Sequence, residues 1–313
     1  MLDSKKFIAF LTLLFLISCG GGGAPSSSNP ESFTIPSKVI NGLLVDGYIR
    51  NAEIWLETSD DFSSLNELKT SSDNQGRFSL STNLSNFRIQ SSGGVDLDTG
   101  SSLEGLILIN HRIDEIESTT SSINKTWDNY IVSPLTTADF FLAESLLELS
   151  NPISPSVNQL LGLDDSLNLN ITDHVENLDN GFKFAETYEK ANQLTVLALS
   201  VSKFVNNLNA SNNNTNEAFK VILDELVSNY QISETEINLE SAIFIEGLIE
   251  RIIAKFSLTL STEVKAKIKN IYKSFIPLIQ IKPDISVSQD IFAFATNTFV
   301  NDVIAVSSNK DFQ

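Results

Sequence analysis

The chain predicts an α+β protein: a small antiparallel β-sandwich followed by an α-helical bundle. Two observations carry that expectation. Between residues 39 and 92, short apolar runs alternate with polar residues at a period of two and are cut by turn residues, as strands require. From Ser133 onward, apolar residues recur every three to four positions in long stripes, as helices require. An apolar run close to the N-terminus sets a leader apart from the folded body. The division is residues 1–18 as a signal segment, 19–38 as a tether, 39–132 as a β-rich domain with an extension, and 133–313 as a helical domain.

In the leader, Lys5 and Lys6 precede the apolar run Phe7 to Ile17, which is too short to persist as a membrane-spanning helix. The run closes on Leu16-Ile17-Ser18-Cys19, in which a small residue stands before the only cysteine of the 313 residues. That is a lipobox. It predicts cleavage between Ser18 and Cys19 and acylation of Cys19, so that the membrane is the first expected partner. Several acyl chains, each gaining about 0.8 kcal/mol per buried CH₂, anchor a protein durably. A lone thiol in an exported chain has no disulfide partner, and lipidation removes that loose end. Gly20 to Gly23 and the following Ala24 to Pro30 form a flexible tether. Gly20, standing where an aspartate would follow the cysteine, favours the outer over the inner membrane by analogy with proteobacterial sorting.

Charge narrows the partners. With 39 acidic against 21 basic residues the formal charge is −18. No basic stripe exists to neutralise phosphates, so no nucleic-acid partner is expected. Anionic head groups repel such a surface, which leaves the acyl chains as the membrane contact. A hydrophobic content of 42% with 20 phenylalanines suffices for real cores.

In the β-rich part, Leu43 to Ile49 and Ala52 to Thr58 read as two strands separated by Arg50-Asn51. Ala52, Ile54 and Leu56 alternate with Glu53, Trp55 and Glu57, the pattern of a half-buried strand. Asp73-Asn74-Gln75-Gly76 is a turn into the strand Arg77 to Leu80, and Asn86 to Gln90 is a further strand. So few short strands bury little and need support from the next segment.

The runs Val45-Asp46-Gly47-Tyr48-Ile49, Ala52-Glu53-Ile54-Trp55-Leu56 and Asp73-Asn74-Gln75-Gly76-Arg77-Phe78 resemble the carboxypeptidase-regulatory-like (transthyretin-like) β-domains of bacterial surface proteins. Gly93-Gly94-Val95-Asp96-Leu97-Asp98-Thr99-Gly100 and Val132-Ser133-Pro134-Leu135-Thr136-Thr137 resemble segments that follow such domains. Leu160-Leu161-Gly162-Leu163 and a helical region often come next, as here. The resemblance spans residues 39 to about 205 and implies a surface or periplasmic protein without enzymatic activity. Relatives often carry a calcium-binding loop after the second strand. Here Ser59-Asp60-Asp61-Phe62-Ser63-Ser64-Leu65-Asn66-Glu67 lacks the glycine and the alternating acidic order that calcium needs, and reads as a solvated acidic loop.

Residues 93 to 132 are mixed. Leu103 to Ile109 is a candidate strand. Asp96 and Asp98 read as turn residues that satisfy backbone donors, the alternative being an acidic pair at a site. Trp127 and Tyr130 read as a buried aromatic pair at a domain junction, the alternative being a sugar-stacking platform.

Ser133-Pro134 is a helix start. Capping-box spacing recurs at Asn214 with Glu217 and at Ser233 with Glu236. Four apolar stripes follow: Leu194, Leu197, Val201, Phe204 and Leu208; Phe219, Ile222, Leu223, Leu226, Val227 and Tyr230; Ile245, Leu248, Ile249, Ile252, Ile253 and Phe256; Val264, Ile268, Ile271 and Phe275. Lys265, Lys267, Lys269 and Lys273 point away from the last stripe and read as a solvated basic face. The expected inter-helix loop is Asn209 to Asn213.

No catalytic signature appears. The two histidines, His111 and His174, lie beside no motif and read as surface or half-buried residues. No HExxH, GxSxG or phosphate-loop pattern exists, and no cysteine remains once Cys19 is acylated. No catalytic residue, metal ligand or cofactor is expected. The sequence thus points to a lipid-anchored envelope protein with a non-catalytic binding or structural role, its partner an envelope protein or a glycan. A helical domain for a small or lipidic ligand is the alternative, and a hydrolase using paired carboxylates a third reading.

Overall fold

The computed structural model describes residues 38–58, 67–84, 86–110, 113–114, 126–148, 155–209, 215–279, 285–295, 298 and 300–308. Small sheets come first and helices second. Strand β1 (Lys38–Leu44) is the centre of a three-stranded sheet. It pairs antiparallel with β5 (Arg77–Thr82) and parallel with β10 (Thr126–Val132). The parallel pair corrects the all-antiparallel expectation. It arises because β10 returns beside β1 from the far end of the β part, then runs straight into the first helix. A two-stranded ladder joins β2 (Ile49–Arg50) to β7 (Val95–Asp96). The largest sheet orders β4 (Lys69–Ser71), β3 (Glu53–Glu57), β6 (Asn86–Ser92) and β8 (Ile107–Ile109), with β9 (Ile113–Asp114) on β6.

Three strand expectations change. The strand over Leu43–Ile49 stops at Leu44, and Val45 to Tyr48 turn. Tyr48 and Asn51 both take φ of 56°, a left-handed conformation that ends a strand. Trp55 and Glu57 are buried along with Ile54 and Leu56, because β3 lies inside its sheet and is covered on both faces. The strand over Leu103–Ile109 shrinks to β8, since Leu103 accepts from the Leu106 N–H across a turn. The turn at Asp73 is as expected. Its Oδ1 accepts from the N–H of Gln75 at 2.7 Å and of Arg77 at 2.9 Å. Gly76 takes φ of 74°, and β5 then alternates exposed and buried residues.

The helices are α1 (Pro134–Glu148), α2 (Val157–Leu161), α3 (Phe182–Asn209), α4 (Thr215–Ser233), α5 (Ala242–Lys255), α6 (Thr262–Phe275), α7 (Ile285–Phe294) and α8 (Val300–Ser308). The long α3 packs against α1, α4 and α8, while α5 lies between α4 and α6. The expected stripes are interior. Leu197, Phe204, Phe219, Leu226, Leu248 and Ile268 are among the fully buried residues, and Leu208, Tyr230, Ile253, Ile271 and Phe275 border the same core. That core is continuous with the strands, joining Ile54, Phe87 and Leu108 to Leu135, Phe141 and Leu194.

Helix is not continuous from Ser133. Residues 162–181 are irregular apart from a 3₁₀ turn at Leu178–Asn180. Ser233 ends α4, its hydroxyl donating to the Asn229 carbonyl at 3.1 Å, so it does not open a helix. Asn214 lies outside the described residues. The reciprocal capping box sits at Ser156 and Gln159, where each side chain accepts from the other residue's N–H at 3.1 Å.

Candidate functional site

The turn Val45–Tyr48, the turn that follows β7, and the first half of α3 converge on three carboxylates. Asp46 and Asp96 are 1% and 2% exposed, and Asp98 is half-buried. Asp96 serves its own turn as read from the sequence, accepting from the Asp98 N–H at 2.9 Å and the Thr99 hydroxyl at 2.5 Å. Asp98 does something the sequence reading missed. It accepts from the hydroxyl of Tyr188 on α3 at 2.8 Å, tying the turn to the helix. One turn along α3, the Asn192 side-chain amide donates to the Tyr188 carbonyl at 3.0 Å and reaches the Asp46 carbonyl at 3.5 Å. Gly47 lets the two turns meet. A Cβ there would overlap the Asp96 carboxylate and stand 2.8 Å from Asp98 Cβ.

This crowding sets the electrostatics. Asp46 Oδ1 finds no hydrogen-bond partner among the described residues. Burial pushes the Asp46 carboxyl up to about 8, helped by the charges of Asp96 and Asp98 and opposed by the Thr195 hydroxyl. Burial raises Asp96 to about 6, its bonds from Thr99 and Asp98 working against the shift. Tyr188 is raised as well, by burial and by Asp98. His174 belongs to the same interior. It is 2% exposed, its ring centroid 6.3 Å from that of Tyr188, which corrects the surface or half-buried expectation. Its Nε2 has no partner among the described residues, and burial lowers its pKa to about 4. The arrangement can hold a proton. Asp46 and Asp96 are closed to solvent and present no oxygen to a substrate. Among the described residues, no group of three or more His, Cys, Asp and Glu is placed to hold a metal ion.

Thr136 and Thr137 form the second half of the seam. Both are fully buried at the start of α1. Thr137 Oγ1 accepts from the Ile109 N–H at 2.8 Å, and Thr136 Oγ1 donates to the Ile109 carbonyl at 2.8 Å. These two hydroxyls stand in for a neighbouring strand on β8 and cover its edge. The Ser133 hydroxyl accepts from the Thr136 N–H at 3.2 Å, capping the helix as expected, and the Asn110 amide donates to the Ile131 carbonyl.

An open cleft of about 1140 Å³ lies on the outer side of this seam. Arg77 and Gln75 line one wall, Asp173, Asn177 and Phe184 the other. Tyr48 stands at the junction, its hydroxyl donating to Asp173 Oδ2 at 3.0 Å. Burial and that carboxylate raise its pKa.

The other expected sites disperse. Ser18, Cys19, His111 and the acidic run 59–66 lie outside the described residues. Trp127 lies in β10 opposite Ile40, and Tyr130 is half-buried. The lysine face of α6 is not a free basic patch. Lys265 and Lys269 pair with Glu250 at 3.4 and 2.8 Å, Lys267 with Glu263 at 3.0 Å, and Lys273 with Glu246. Tyr188, Asn192 and Thr195 were missed, although polar residues at i, i+4 and i+7 within a buried helix mark a polar face needing partners. No family model, no curated protein and no solved structure matches this chain.

Proposed function

We propose that the chain is a lipid-anchored protein of the bacterial envelope, acylated on Cys19 and held at the outer membrane, with a non-catalytic binding role. In this reading the strands form a transthyretin-like sandwich, the helices form a bundle behind it, and the partner is an envelope protein or glycan. The observation that carries it is Leu16-Ile17-Ser18-Cys19 at the end of a short apolar run, followed by a glycine-rich tether. The seam supports the binding part. Its polar groups are spent on joining strands to helix, while the cleft beside it offers amides, a guanidinium, a carboxylate and aromatic rings to a ligand.

Mass spectrometry of the mature N-terminus, comparing the native chain with Cys19→Ala, tests the anchor. A diacylglyceryl or triacyl mass on Cys19 is expected, and an unmodified N-terminus on a freely secreted chain would overturn it. A photoreactive side chain at position 75 should crosslink to an envelope component in cells. The same group at position 232, which is 85% exposed on α4, should not. Equal labelling from both positions would remove the cleft as the binding surface.

A further inference from the structure

We propose that the folded body carries Asp46 as a neutral acid, and that loss of this proton loosens the seam between strands and helix. The geometry argues for it first. Asp46 is buried to 1% exposure in the turn after β1, and its Oδ1 has no hydrogen-bond partner among the described residues. The charged groups that bear on it come from the neighbouring turn, and both are carboxylates, Asp96 and Asp98. From α3 the facing groups are the Thr195 hydroxyl and Tyr188, whose own proton is committed to Asp98. His174, beside Tyr188, is held neutral by burial and brings no positive charge. Tyr48, two residues along the turn, donates its hydroxyl hydrogen bond to Asp173. Gly47 leaves the turns no room to separate the acids, because its missing Cβ is what admits Asp96. Among the described residues the charges that bear on Asp46 are carboxylates and burial disfavours its ionised form, so the proton stays.

The consequence is a device that responds to the pH around the body. In the unfolded chain Asp46 ionises near 3.8, and in the folded chain near 8. A raised pKa gives stability that is full below the unfolded value and is lost as pH rises through the folded value. The other buried groups do not act throughout this range. His174 (6.5 unfolded, about 4 folded) and Asp96 (3.8 unfolded, about 6 folded) exert their effects mainly below pH 6.5. Between pH 6.5 and 8 the folding equilibrium constant should therefore fall by about tenfold in all, mainly through Asp46.

The test uses the full chain, its Asp46→Asn variant and the Asp96→Asn variant. Denaturant unfolding at pH 6.5, 7.2 and 8 should show that fall in the native chain and a flat profile in Asp46→Asn. Asp96→Asn should retain the fall, shifted to lower pH. Unfolding at pH 7 should release about one proton more from the native chain than from Asp46→Asn. If Asp46→Asn does not fold, infrared difference spectra of the native chain decide. A protonated-carboxyl band present at pH 6.5 and bleached by pH 9 is expected, and its absence at pH 6.5 would overturn the proposal. Parallel pH profiles for the native chain and Asp46→Asn would overturn it equally.

Discussion

Within the helices, α4 packs against α5, and Phe219, Ile222, Leu226, Ile245, Leu248 and Ile249 on the two are buried and apolar. One buried charge enters here, Glu225 on α4, paired with Arg251 at 2.8 Å, while the α6 lysines meet exposed glutamates. The seam between strands and helices is made differently. There the apolar core is continuous, but Asp46, Asp96, Thr136, Thr137, Asn192 and His174 are buried beside it, and side-chain hydrogen bonds such as Thr137 to Ile109 and Tyr188 to Asp98 are added to apolar area in joining the elements. An apolar stripe tolerates many partners, since burial is non-directional. A polar seam accepts one arrangement, because every donor left unpaired costs free energy. The helices supply bulk stability, and the seam fixes how they meet the strands.

The sharpest break on the helical side is Phe204→Ala. Phe204 is fully buried on α3, and its truncation should cost about 3–5 kcal/mol in denaturant unfolding. A cost below about 1 kcal/mol would mean the helical core is not close-packed. On the seam side, Gly47→Ala forces a Cβ into the Asp96 carboxylate and should cost about 1–3 kcal/mol. Its signature is loss of protection at the amides of Asp98 and Thr99 in hydrogen exchange, with those of α5 unchanged. Thr137→Val keeps the shape but leaves the Ile109 N–H without its acceptor, costing about 1–3 kcal/mol. Equal stability of that variant and the native chain would show that the hydroxyl does not hold the β8 edge.

Smaller effects follow from His174 and Lys269. The pKa of His174 is depressed to about 4, so its contribution is complete above 6.5 and is lost as pH falls toward 4. His174→Gln should therefore flatten the acid limb of the stability curve, as read by thermal melting at pH 4 to 6.5. Lys269→Ala removes an exposed ion pair and should change stability by less than about 0.5 kcal/mol. A larger loss would mean that the lysine face is part of the architecture.

The sequence exposed these two regions unequally. Leu194, Leu197, Val201 and Phe204 were legible as a stripe because periodicity is a local signal and burial acts on each residue alone. The order of strands before helices was legible for the same reason. The seam was not, because its partners are distant: Asp98 and Tyr188 are far apart along the chain, as are Ile109 and Thr137, and no spacing rule joins them. The motifs around Asp46, Asp96 and Thr136 could be quoted without their purpose being visible. His174 was misplaced because nothing beside it marks a buried residue. The capping spacing at Ser233 misled where the same signal at Ser156 was genuine, since a hydroxyl near a helix end serves either terminus.

The place of β1 has a mechanical consequence. This strand takes up the chain directly after residue 37 and is flanked on both sides, by β5 and by β10. A force directed along the axis of β1 would cross two ladders, the antiparallel bonds to β5 lying perpendicular to it and the parallel bonds to β10 slanted. The bonds are then loaded together in shear, where an edge strand pulled sideways would open them one after another. Because β10 leads into α1 at Ser133, that load passes from the strand into the helical body through the same seam that carries the buried acids.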